Sequence, residues 1–122
     1  MKYPVCLTIF LCLAVLLAAC STPPPLLEYQ GVSTTMDATH IVTLSLREPT
    51  AAGVTSGTYY SGVARGILRG TVADTILNAE LKPSPDCTYT FTGVLTETAL
   101  TGSFEPSDCP GGQPGDWNLN RL

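Results

Sequence analysis

Basic residues are scarce in this chain of 122 residues: six Lys and Arg stand against ten Asp and Glu, for a formal net charge of −4. Such a balance leaves no electrostatic footprint for a phosphate backbone, so nucleic acid is excluded as a partner, and anionic lipid head groups would repel the chain. Histidine occurs once, at His40 in Thr39-His40-Ile41-Val42, on the core face or at the end of a strand. A lone histidine is far more often structural than a general base, and a metal site needs converging ligands that one histidine does not supply. No serine stands in Gly-X-Ser-X-Gly, so there is no nucleophile elbow. No glycine-rich phosphate loop, EF-hand spacing or Cys-X-X-Cys pair is present. These absences predict a protein without catalytic residues, metal or cofactor. Helical periodicity is missing too, over any window of a dozen residues from Leu26 onward.

What the chain does contain is a repeat. The segment beginning at Leu68 recurs 23 positions later from Phe91: Gly70 answers Gly93, Thr75 answers Thr98, Leu77 answers Leu100 and Leu81 answers Phe104. Pro83-Ser84 answers Pro106-Ser107, and the copies close on Asp86-Cys87 and Asp108-Cys109. This is a repeated β-hairpin with a cysteine at the same place in each unit.

Alternation of period two extends the pattern to the whole domain. Val42, Leu44 and Leu46 share one face, Leu77, Ala79 and Leu81 another, and Trp117 and Leu119 a third, with Thr, Ser, Asn and Glu between them. Strands with one dry and one wet face are implied, and threonine suits the exposed pleat. Breaks at 48–53, 82–86 and 106–115 leave seven or eight strands, near 27–34, 39–47, 54–61, 64–73, 75–82, 87–95, 98–105 and 115–121. Short connections make sequential neighbours antiparallel. The expected fold is all-β, an up-and-down meander curled into a closed or half-open, lipocalin-like barrel, with a β-sandwich as the alternative. Inward glycines at Gly70, Gly93 and Gly102 fit strong curvature.

The N-terminus belongs to targeting rather than to the fold. Lys2 precedes an apolar run from Val5 to Ala19, shorter than the about 20 residues of a spanning helix and suited to a signal peptide over 1–19. Leu17-Ala18-Ala19-Cys20 resembles the lipobox of bacterial lipoproteins. That resemblance implies cleavage before Cys20, a diacylglycerol on its sulfur and acylation of the new amine. Ser21 resembles the outer-membrane sorting class. Removing Lys2 with the leader takes the net charge from −4 to −5, so attachment would rest on the acyl chains, two or three of which suffice for stable anchoring. Residues 20–26 form a linker, its three consecutive prolines stiff and extended, and 27–122 form the barrel domain.

With Cys20 acylated and Cys6 and Cys12 removed, Cys87 and Cys109 are the remaining thiols. An even pair in an exported domain is most simply a disulfide. A hairpin turning around Glu97 brings both to one rim; the redox-active alternative lacks the usual spacing and a βαβ context.

Asp74 and Glu97 read as hairpin-tip residues, where solvent opposes an acid–base role. Arg65, Arg69 and Arg121 are candidates for an anion-binding rim. Tyr59, Tyr60 and Trp117 are the candidate exposed binding aromatics. By elimination the chain is expected to be a non-enzymatic envelope protein, first as a macromolecular interaction module and alternatively as a carrier of a small apolar ligand inside the barrel. A cavity above about 300 Å³ reachable from one mouth would favour the carrier.

Overall fold

The computed structural model describes residues 25–62 and 64–122. The expected signal peptide, the lipid-anchor residue Cys20 and the linker as far as Pro24 lie outside the described residues. Eight strands follow one another: β1 (Leu26–Thr35), β2 (Thr39–Arg47), β3 (Val54–Ser61), β4 (Ala64–Ala73), β5 (Ile76–Ser84), β6 (Cys87–Leu95), β7 (Ala99–Asp108) and β8 (Gly115–Arg121). Each pairs antiparallel with the next, and β8 returns to β1 from Tyr29↔Arg121 to Thr35↔Gly115. The meander therefore closes into a barrel, and neither the half-open nor the sandwich form is adopted.

Alternation decides which way each residue faces. Val42, Leu44, Leu46, Leu68, Phe91 and Leu119 are fully buried inside, while Thr43, Thr90, Thr92 and Thr101 stand on the wet outer wall. Each such buried apolar side chain stabilises the fold by about 1.5–3 kcal/mol relative to exposure. The inward glycines do not leave room for a ligand in the middle of the barrel. Gly93 and Gly102 pair across β6 and β7, and a Cβ on either would meet the ring of Phe91, which fills that space.

The repeat has a structural consequence that differs from the expected strand ends. The proline positions placed in breaks at 82–86 and from 106 onward lie inside strands: β5 continues through Pro83 to Ser84, and β7 through Pro106 to Asp108. Proline has no N–H for the ladder, and it is accommodated here because pairing slips beside both residues, between Leu81 and Ser84 and at Thr88/Tyr89. The two irregularities fall at the same end of the barrel. Cys87 and Cys109 meet there too, joined by a disulfide across a Cα–Cα distance of 4.2 Å.

An up-and-down barrel has two distinct ends. The turns β1–β2, β3–β4 and β5–β6 and the β7–β8 loop gather at one, here termed the mouth. Leu26, the C-terminus, the β2–β3 turn and the hairpin tips around Asp74 and Glu97 gather at the other, the base. Asp74 takes the left-handed conformation its turn requires, with φ 57°. Leu46, Leu77, Leu100 and Leu119 are fully buried toward the base and plug it.

Candidate mouth cup and its aromatic floor

At the mouth the core ends in rings instead of aliphatic side chains. Tyr59 and Trp117 meet edge to face with centroids 5.2 Å apart, Trp117 and Phe104 at 6.4 Å, and Phe104 and Tyr89 at 5.6 Å. Such geometries match the positive ring edge of one partner to the negative face of the other. Beneath them Phe91 packs against Trp117 at 5.2 Å. The four upper rings floor a cup of about 330 Å³ that is open to solvent on one side. Leu81 and Pro83 complete one wall, and Ser33, Thr35, His40 and Ser61 form a polar rim.

Tyr59 is positioned by an absent side chain. Gly66, opposite it on β4, has no Cβ, and one placed there would fall on Cζ and Oη of the tyrosine. The ring can therefore lean across the neighbouring strand. Burial pushes the Tyr59 phenol well above its usual 10, and the Tyr89 phenol acts in the same direction. Tyr59 accordingly stays an O–H donor throughout the physiological range.

Ser33 and Tyr59 are each only 4 % exposed, yet both line the cup. Among the described residues neither hydroxyl meets a hydrogen-bond partner, and no polar side-chain atom sealed from solvent is left unpaired. Both hydroxyls belong to residues that line the cup. The rim contains a histidine and two serines but no carboxylate, so the elements of a hydrolytic triad are not assembled among the described lining residues.

The β7–β8 loop overhangs this cup. Cys109 ties its start to β6 through the disulfide, and the Gln113 side-chain amide donates to Asp37 Oδ2 in the β1–β2 turn at 2.6 Å. Between these fastenings Gly111 adopts φ 76°, Gly112 N–H donates to Cys109 C=O at 3.0 Å, and the Gly112 backbone lies against the Tyr89 hydroxyl. A side chain at Gly112 would displace that phenol.

The candidate site residues fare differently. Tyr59 and Trp117 are not the exposed aromatics expected of them: at 4 % and 3 % exposure they are core residues. Tyr59 shares an inward register with Thr55 and Gly57, and Trp117 with Leu119, so strand parity overrides their amphipathic character. They nevertheless surface together at the cup. Tyr60, one residue on, faces the outer wall at 50 % exposure with the Arg65 guanidinium 5.8 Å from its ring centroid. Arg65 and Arg69 stand on the outer wall of β4, whereas Arg121 reaches the Glu97 carbonyl at the base, so the three do not form one rim. His40 is an exposed rim residue at the start of β2. Ser33, Ser61 and Gly66 were not singled out by sequence. A polar residue at an inward strand position was the available signal for Ser33.

Comparison with protein-family models, with curated proteins and with solved structures finds no match to this chain.

Proposed function

We propose that this chain is a lipid-anchored, non-enzymatic binding protein of the bacterial envelope, which receives a compact, uncharged ligand in the mouth cup. The carrying observation is the cup itself: about 330 Å³ floored by aromatic rings, at the lower end of the about 300–1,000 Å³ range of small-molecule sites. Recesses of about 340 and 520 Å³ elsewhere lack such a set of rings, so the aromatic floor, and not the volume, is what favours ligand binding over a purely macromolecular interaction role. On this reading the ligand sits at the mouth and not inside the barrel, where leucines and Phe91 fill the space.

Topology supports the same reading. The linker enters at Leu26, at the base, and the cup opens at the opposite end. A chain held by acyl groups on Cys20 would therefore present the cup away from the bilayer. Sorting to the outer membrane, on the side facing the periplasm, follows from the lipobox and Ser21. No cofactor or nucleic acid enters this reading.

Mass spectrometry of the protein extracted from native membranes tests it. A mass of residues 20–122 plus acyl groups, less two hydrogens, with a non-covalent adduct that dissociates on activation, is the expected result. An unprocessed chain with free thiols and no adduct would contradict it. Cys20→Ala should transfer the protein from the membrane to the soluble or unprocessed fraction; undiminished acyl labelling would argue against the anchor.

A further inference from the structure

We infer that the cup takes a neutral pyranose ring, at the terminal residue of a glycan or as a free sugar; the inference rests on the cup being the ligand site. Three properties of the lining narrow the ligand class. First, no Lys, Arg, Asp or Glu is among the described lining residues, and His40 on the rim is the one group there that can carry charge, so a phosphate, carboxylate or ammonium group would lose hydration with little counter-charge. Second, Ser33 and Tyr59, each nine-tenths buried, place hydroxyl-bearing side chains in the lining, with Ser61 and Thr35 on the rim. A wholly apolar ligand would cover these groups without pairing them, at a cost of about 1–3 kcal/mol for each one desolvated. Third, the floor is aromatic: Tyr89 is its most accessible ring, beside the nearly covered rings of Tyr59, Phe104 and Trp117.

A pyranose answers all three. It has no charge, its equatorial hydroxyls donate and accept, and one of its faces is a patch of C–H bonds. Those hydrogens carry partial positive charge and suit the negative faces of aromatic rings. Hydroxyl side chains can act as donor or acceptor in turn, so Ser33, Ser61 and Tyr59 can follow the alternating polarity of a sugar edge.

The shape of the cup selects the end of a chain over its middle. Buried Phe91 and Leu68 block passage beneath the floor, and the fastened Gly111–Gly112 segment overhangs one side. A glycan strand cannot run through such a blind recess, but its last ring can enter while the rest leaves through the open side.

The barrel closes on itself between Leu26 and Arg121, so the oxidised, acyl-free chain from Ser21 onward carries the whole fold. That protein is titrated with glucose, N-acetylglucosamine and the N-acetylglucosamine trimer, reading the fluorescence of Trp117, its single tryptophan. N-phenyl-1-naphthylamine, an uncharged apolar probe, is titrated in parallel. The expected result is a saturable Trp117 change with at least one saccharide, weakened about three- to tenfold by Tyr59→Phe and by Ser61→Ala. Both variants should melt within a few degrees of the parent, separating lost contacts from lost folding. Tighter binding of the trimer would assign a glycan end, and equal binding a free sugar. If the probe binds competently while every saccharide is silent, the carbohydrate assignment is overturned and the cup remains a ligand site. If neither binds, both fail.

Discussion

Removing the Cys87–Cys109 disulfide separates two contributions that the structure places on one bond. The cysteines are 22 residues apart in sequence, and freeing a loop of that length restores denatured-chain entropy worth about 3 kcal/mol in the loop-closure description. Lost contacts should add little to this, because the pair beside the bond, Thr88↔Asp108, is held by backbone hydrogen bonding that does not involve the sulfurs. For a domain of about 100 residues, with each kcal/mol worth about 4–8 °C, the double variant Cys87→Ala/Cys109→Ala should melt about 12–24 °C lower. Thermal and urea unfolding followed by circular dichroism provide the assay, with the native β signal retained at 20 °C. The second contribution is local. Cys109 is one of two fastenings of the lid, so hydrogen exchange at Gly111 and Gly112 should accelerate more than in the β4 and β5 amides. A variant whose melting temperature and lid exchange both match the parent would refute the reasoning. Lower stability with unchanged lid exchange would mean that the Gln113–Asp37 hydrogen bond alone holds the loop.

Other perturbations probe different parts of the mouth. Gly66→Ala places a methyl group on the Tyr59 ring, and should cost about 1–3 kcal/mol in urea unfolding while reducing ligand binding; a neutral effect would mean that Tyr59 is free to move aside. Leu100→Ala, at the plugged base, should cost about 2–5 kcal/mol without altering ligand affinity beyond what unfolding explains. Tyr29 and Tyr59 have phenols raised above the usual 10 by burial, with Arg121 opposing the shift at Tyr29 and Tyr89 adding to it at Tyr59. Below pH 10 these phenols are protonated whether the chain is folded or not, and their contribution is fully present. As pH rises through that value the unfolded phenols ionise first, so stability should fall, and tyrosinate absorbance from these two should appear only with loss of β structure. Their full ionisation in an intact barrel would contradict the burial argument.

The barrel was legible in the sequence because each inner strand position repeats every second residue and the connections are short. Val42-Leu44-Leu46 and Leu77-Ala79-Leu81 needed no tertiary information to be placed inward. The repeat from Leu68 and Phe91 also carried the two cysteines to one rim. Closure was not legible, since whether β8 meets β1 depends on the accumulated tilt and stagger of eight strands. The continuation of β5 and β7 through proline escaped as well, because proline usually marks a break and only the slipped pairing reconciles it with a ladder. The cup was half visible. Tyr59 and Trp117 attracted notice as amphipathic aromatics, but their convergence joins residues 58 positions apart and depends on the missing side chain of Gly66. Hydroxyls such as Ser33 gave no signal by type alone; only an inward register makes a serine conspicuous.

The most direct measurement is the map of backbone and indole chemical shifts in the oxidised chain from Ser21 onward, with and without N-acetylglucosamine and, separately, N-phenyl-1-naphthylamine. Perturbations confined to the mouth, at Ser33, Ser61, Tyr89, Gly112 and the Trp117 indole, are the expected result, with the base around Asp74 and Glu97 unmoved. Saturable perturbations centred on the base or the outer wall of β3 and β4, or none at any concentration, would contradict a ligand site at the barrel mouth.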